Sequence, residues 1–139
     1  MKSKNYILFF ENLNINTPIE EYKKVFDLNA KFKDPFHKVT GLEKIYKIFQ
    51  DMYTKLDNPK FKIIEVITED KIIYIKWDFE FKFKNKSKQE SFEGISRVEF
   101  NNEGKAISHI DYWDSVENLY EKIPILSFFF KLIKNKIKS

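Results

Sequence analysis

A chain of 139 residues with 15 Phe, 7 Tyr and 2 Trp, and only 3 Gly and 4 Pro, has the length of one domain and too much apolar content for extended disorder. The absence of cysteine excludes disulfides and thiolate metal sites. The net charge is +4, but every acidic residue lies at or before Glu121; without Lys122, Lys131, Lys134, Lys136 and Lys138 the remainder stands at −1, which argues against a nucleic-acid-binding body.

No run approaches the ~18–20 apolar residues that span a bilayer. The apolar stretch after Met1-Lys2-Ser3-Lys4 is brief and reaches Glu11 and Asn12 with no small-residue cleavage site. A cytoplasmic protein is expected.

The elements follow in order. A first helix covers roughly residues 4–13. A second begins at Thr17-Pro18-Ile19-Glu20, where Thr17 is placed to cap and Glu20 to complete a capping box. Asn29 to Asp34 reads as a short extended piece, because the residue before Pro35 avoids the helical region. Thr40-Gly41-Leu42-Glu43 resembles a second capping box, and Leu42, Ile45, Tyr46, Phe49, Met52, Tyr53 and Leu56 give helical spacing that stops before Asn58-Pro59. Strands follow. Phe61 to Thr68 is the first long one. Ile73 to Phe83 alternates strictly, with Ile73, Ile75, Trp77, Phe79, Phe81 and Phe83 on one face. Ser91 to Phe100 and Lys105 to Trp113 form a last hairpin around Asn101-Asn102-Glu103-Gly104, and a short helix starts near Ser115. Helices before strands predict an α+β fold with a curved antiparallel sheet.

The division into residues 1–121 and a basic tail at 122–139 rests on charge and pattern. In the tail, Ser127, Lys131, Lys134 and Lys138 form a polar stripe at helical spacing on an otherwise apolar segment. At ~14 residues it is too short to span a membrane but could lie on one. The favoured reading is a helix packed over a pocket mouth or against a partner.

Asp34 sits in Phe32-Lys33-Asp34-Pro35-Phe36, between helices and sheet. His109 and Asp111 are two apart on the last strand and share a face with Trp113. A carboxylate and an imidazole among aromatics are candidates for acid–base work. The bland alternatives are a turn cap for Asp34 and one structural hydrogen bond for His109. Arg97 is the single arginine, and its face depends on the hairpin register. An even loop sets Ser96 opposite His109, and an odd loop brings Arg97 beside it. Because Phe92, Gly94, Ser96, Val98 and Phe100 form the more apolar alternate, Ser96 is expected inward and Arg97 outward. With only His37 and His109, and no close His/carboxylate spacing, no metal is expected. No cofactor-binding motif is present.

Lys33-Asp34-Pro35-Phe36, Gly94-Ile95-Ser96-Arg97 and Gly104-Lys105-Ala106-Ile107-Ser108-His109-Ile110-Asp111-Tyr112-Trp113-Asp114 resemble the nuclear transport factor two-like superfamily, nearest its SnoaL-like proteins. The resemblance covers roughly residues 4–121. It implies a cone-shaped sheet wrapped around N-terminal helices, a pocket between them and frequently a homodimer through the sheet. Asp34 matches the general base of the ketosteroid isomerases, whose tyrosine and aspartate donors fall at Phe10 and Ser96. Asp111 matches a final-strand aspartate of the epoxide hydrolases, whose arginine and second aspartate fall at Trp77 and Phe79. Neither catalytic set is complete. A SnoaL-like cyclase needs an acid–base residue in the pocket, which Asp111 with His109, or Asp34, could supply.

The expectation is a protein that binds a small, largely apolar molecule, with Trp77, Phe79, Ser96, Trp113 and Phe10 around it. Asp34, His109 and Asp111 are the candidates for acid–base chemistry of isomerase, cyclase or hydrolase type. The alternatives are a non-catalytic ligand-binding or dimerisation module and a peripheral membrane protein acting through residues 125–138.

Overall fold

The computed structural model describes residues 2–118 and 124–138. Helix α1 (Lys2–Asn12) and helix α2 (Ile19–Val25) lead into strand β1 (Phe26–Lys33) and the short β2 (Lys38–Thr40). Helix α3 (Leu42–Lys55) follows, then β3 (Leu56–Glu69), β4 (Ile72–Phe83), β5 (Glu90–Phe100) and β6 (Ala106–Tyr112). Helices α4 (Ser115–Asn118) and α5 (Pro124–Lys138) close the chain.

The six strands form one sheet in the order β2-β1-β6-β5-β4-β3. All neighbours are antiparallel except β1 and β6, which run parallel. The expected wholly antiparallel sheet is therefore mixed. A parallel pair cannot be joined by a tight turn and needs a long crossover. Here the whole stretch from β2 to β5 provides it.

The alternation read from β4 is realised. Ile73, Ile75, Trp77, Phe79 and Phe81 are buried, and Tyr74 is exposed. On α3, Leu42, Ile45, Phe49 and Tyr53 form the buried stripe. Tyr6, Phe10 and Leu13 are the buried residues of the N-terminal segment. These faces meet in one aromatic core between helices and sheet.

Both capping boxes are absent. Thr17 Oγ1 accepts the Asn14 amide at 3.0 Å inside the preceding turn, and Pro18, in extended conformation, takes the cap position. Thr40 is held in β2 against Lys31, so Gly41 caps α3, with φ 116 and its amide donating to Ala30 O at 2.8 Å. Only glycine adopts that backbone without strain.

In α5, Leu132, Ile133 and Ile137 are exposed. No described helix is long and apolar enough to cross a membrane.

One close approach shapes the interior. Trp77 on β4 lies opposite Gly94 on β5, and a Cβ on Gly94 would sit 2.2 Å from Trp77 Cη2. The indole lies flat across the β5 backbone, and only glycine leaves room. Gly94→Ala is expected to destabilise by about 1–3 kcal/mol through overpacking, a fall in Tm of about 3–10 °C. Thermal melting monitored by tryptophan emission checks this; an unchanged melt would show that Trp77 does not lie there.

Candidate functional site

Alternate residues of β6 face the core, which places His109 and Asp111 on one side of the sheet. His109 pairs across with Val98 and, on the other side, with Phe32; Asp111 pairs with Ser96. Ser96 thus faces inward as expected, but its partner is Asp111 and not His109: Phe100 pairs with Ala106, so the turn is one residue longer than Asn101–Gly104, and a bulge between Glu99 and Phe100 adds a second step. Arg97 faces outward, 3.8 Å from Glu99.

His109 is only 3% exposed, and its ring stacks on Phe32 at 5.1 Å and touches Phe10 at 5.3 Å. A buried imidazole needs partners for both nitrogens. Nδ1 meets the Tyr6 hydroxyl at 2.5 Å, and Nε2 meets Asp111 Oδ1 at 2.6 Å. Burial, and secondarily the Asp111 charge, push the Tyr6 phenol well above its ordinary pKa. The phenol therefore stays protonated and donates to Nδ1. Nε2 carries the ring proton and donates to Asp111. The Ser96 hydroxyl donates to the same Asp111 oxygen, and Trp77 Nε1–H donates to Ser96 Oγ at 2.8 Å. Five side chains from α1, β4, β5 and β6 thus form one hydrogen-bonded line. Asp111 Oδ1 accepts twice, while Oδ2 takes no hydrogen bond from any described residue.

A cavity of about 380 Å³ opens on the other side of Asp111. That falls within the usual size of small-molecule sites. Trp77, Phe79, Phe92 and Trp113 form its sheet wall, and Phe49 and Met52 of α3 face them. Trp113 stacks on Phe92 at 4.5 Å. Asp34, His37, Asp51 and Lys55 bring the polar groups. Behind Asp111, a recess of about 10 Å³ lies among Phe10, Ile75, Trp77, Ser96 and His109. That is about the room of one water. A larger hollow of about 560 Å³ between α1 and α2 is an open surface groove, and its charged residues, Glu21 and Lys24, are bonded to each other at 2.7 Å.

The sequence-derived candidates fall into two groups. Asp34, Asp111, Trp77, Phe79 and Trp113 line the cavity; His109, Ser96 and Phe10 lie behind it and reach it through Asp111. Asp34 has a structural commitment as well. Its Oδ1 accepts the amides of Phe36 at 2.8 Å and His37 at 2.7 Å, and the His37 ring lies at 2.9 Å. It closes the turn between β1 and β2. The described residues contain no metal-ligating cluster.

Tyr6 is the residue that sequence reasoning missed. Its partner is 103 positions away. The available signal was its place one helical turn before Phe10: a phenol on a buried helix face must find a partner. Tyr6→Phe leaves the buried Nδ1 without a donor and is expected to cost about 1–3 kcal/mol in denaturant unfolding near neutral pH. Below the unfolded phenol's pKa of 10.0, both folded and unfolded forms hold the proton and the contribution is complete. Above it the unfolded phenol ionises first, so stability falls as pH rises. The variant should lose stability less steeply in that alkaline range, and an identical slope would show that Tyr6 does not stay protonated in the folded protein.

No curated protein matches the chain. Among solved structures, a protein with a ketosteroid isomerase-like fold from Catenulispora acidiphila, in complex with trimethylamine, aligns with TM-score 0.72 and 13% identity over 85% of this chain and 88% of that one. An NTF2-like protein of unknown function from Burkholderia pseudomallei gives 0.73 and 12%, covering 84% and 92%. A protein assigned as a SnoaL-like polyketide cyclase from Jannaschia gives 0.73 and 7%, covering 84% and 87%. These likenesses show the NTF2-like fold. The sequence pattern of the SnoaL-like domain matches residues 8–109, from α1 to the buried histidine, and the chain belongs to the SnoaL-like domain family.

Proposed function

We propose that the protein binds a small, largely apolar molecule in the cavity between α3 and the sheet, with Asp111 as the polar group that meets it. One observation carries this reading. The aromatic walls converge on a carboxylate whose Oδ1 is fixed by Ser96 and His109 and whose Oδ2 has no partner among the described residues. The line back to Tyr6 fixes the carboxylate's orientation before a ligand arrives. In the enzymatic form of this proposal, Oδ2 removes a proton from the bound molecule, and the His109 and Ser96 donors hold the protonated acid in place. Asp34 is the second candidate base, although the turn it closes occupies its Oδ1.

Both tryptophans of the chain line the cavity, so intrinsic emission reports on the site alone. Titration with an apolar cyclic alcohol of about ten carbons, sized to the cavity, is expected to give a saturable change. Asp111→Asn should weaken the alcohol by about 3–10-fold, the worth of one hydrogen bond. No change up to the solubility limit would overturn the reading. Turnover of any substrate that survived Asp111→Asn together with Asp34→Asn would overturn the acid–base form.

A second proposal concerns the outer face of the sheet. Ile67, Tyr74, Ile95 and Tyr112 are exposed there, around the Arg97–Glu99 and Lys76–Glu93 pairs. Register places Ile67, Tyr74, Arg97 and Ile110 in one row, and Lys76, Ile95 and Tyr112 in the next. Apolar groups ringed by both signs of charge suit a two-fold contact with a second copy. Sedimentation equilibrium should give a dimer that Ile95→Glu converts to monomer. A wild-type monomer would refute it.

A further inference from the structure

The cavity has an electrostatic feature that the binding proposal leaves unused. Asp111 is the ionisable group set deepest in its wall, with a side chain only 12% exposed. Its two hydrogen-bond donors are the Ser96 hydroxyl and the His109 Nε2–H, both on the side away from the cavity. No lysine or arginine of the described residues pairs with it. Arg97 is on the opposite face of the sheet with Glu99. Asp34 is held by His37, while Asp51 and Lys55 stand exposed at the mouth. The carboxylate is therefore largely shielded from water, with hydrogen-bond support on Oδ1 but with no lysine or arginine of the described residues facing Oδ2, and burial of a carboxylate in that state is costly unless something offsets it.

The surrounding surface is aromatic. Trp77, Phe79, Phe92 and Trp113 line the same wall as the carboxylate, with Phe61 beside them. The face of an aromatic ring carries negative potential, and a cation over it is attracted, most strongly over indole. An anion would meet both this potential and Asp111. A neutral ligand would gain burial and one hydrogen bond. An organic cation gains burial, ring faces and an ion pair together.

We infer that the ligand class of this cavity is a hydrophobic amine or quaternary ammonium, its cationic head against Asp111 and the two indoles and its apolar body toward α3. The inference rests on the cavity being a binding site. It adds the sign of the ligand's charge.

The test uses the full-length protein, tryptophan emission and three probes of nearly one shape: benzyltrimethylammonium, its uncharged carbon isostere neopentylbenzene, and benzylphosphonate as the anion. The expected result is that the ammonium binds tighter than the isostere by about tenfold or more and that the phosphonate gives no saturable change. Asp111→Asn should erase the preference, read as the ratio of the ammonium's affinity to neopentylbenzene's in the same variant. If that variant does not fold, Trp113→Leu serves, and should weaken the ammonium more than the isostere. Equal affinity for ammonium and isostere in the wild-type protein, or tighter binding of the phosphonate, overturns the cation inference and leaves the apolar binding site standing. Silence from all three probes overturns the binding site itself, and the inference with it.

Discussion

Burying a histidine among phenylalanines sets the terms for the rest of this site. With Phe10 and Phe32 against its faces, the His109 ring has no water to satisfy its nitrogens, and protein groups must do so. Tyr6 answers one nitrogen and Asp111 the other. The requirement then propagates. Asp111, brought inward to serve His109, is itself a charge that needs donors, and Ser96 supplies a second. Ser96 in turn accepts the indole of Trp77. Each group is explained by the one before it. The line ends at Asp111 Oδ2, which takes no hydrogen bond from any described residue.

The same line explains why a cavity persists in a chain so rich in aromatic side chains, which tend to fill any space they border. Trp77 is fixed at one end by its bond to Ser96 and underneath by the bare backbone of Gly94. Trp113 is stacked on Phe92 and edged by Phe36. Rings pinned on two sides cannot swing inward to close the gap. A set of otherwise adaptable hydrophobes thus becomes a rigid wall, which lowers the conformational cost of receiving a ligand.

Much of this was legible in the sequence, for reasons that can be named. The strict alternation of Ile73 to Phe83 leaves one inward face, and the burial of Ile73, Ile75, Trp77, Phe79 and Phe81 follows it. Comparing the two alternates of β5 was enough to turn Arg97 outward. What escaped were features decided by distant backbone. A turn one residue longer than expected and the bulge at Glu99/Phe100 together moved Ser96 from His109 to Asp111, and no local signal marks the bulge. The caps failed because Thr17 and Thr40 were engaged elsewhere, Thr40 by a strand pairing that its own segment does not announce. The parallel β1–β6 pair and the Tyr6–His109 bond join the two ends of the domain, and contacts of that span leave no periodic trace.

The position of β6 has a consequence for how the chain is made. It is the last strand in sequence, yet it lies inside the sheet, between β1 and β5. Until residues 106–112 exist, the sheet is in two pieces, β2–β1 and β3–β4–β5. A nascent chain that has passed Phe100 holds Trp77, Phe79 and Phe92 of the aromatic wall but lacks Trp113, the strand that joins the wall to β1, and the His109 and Asp111 that tie it to α1. It must carry that wall uncovered until the final strand emerges. Contacts of such sequence separation form late and slowly, and exposed aromatic strands in that interval invite association. The synthesis of this protein thus contains a waiting period whose length is set by translation, during which a chaperone that shields apolar strands has its clearest substrate.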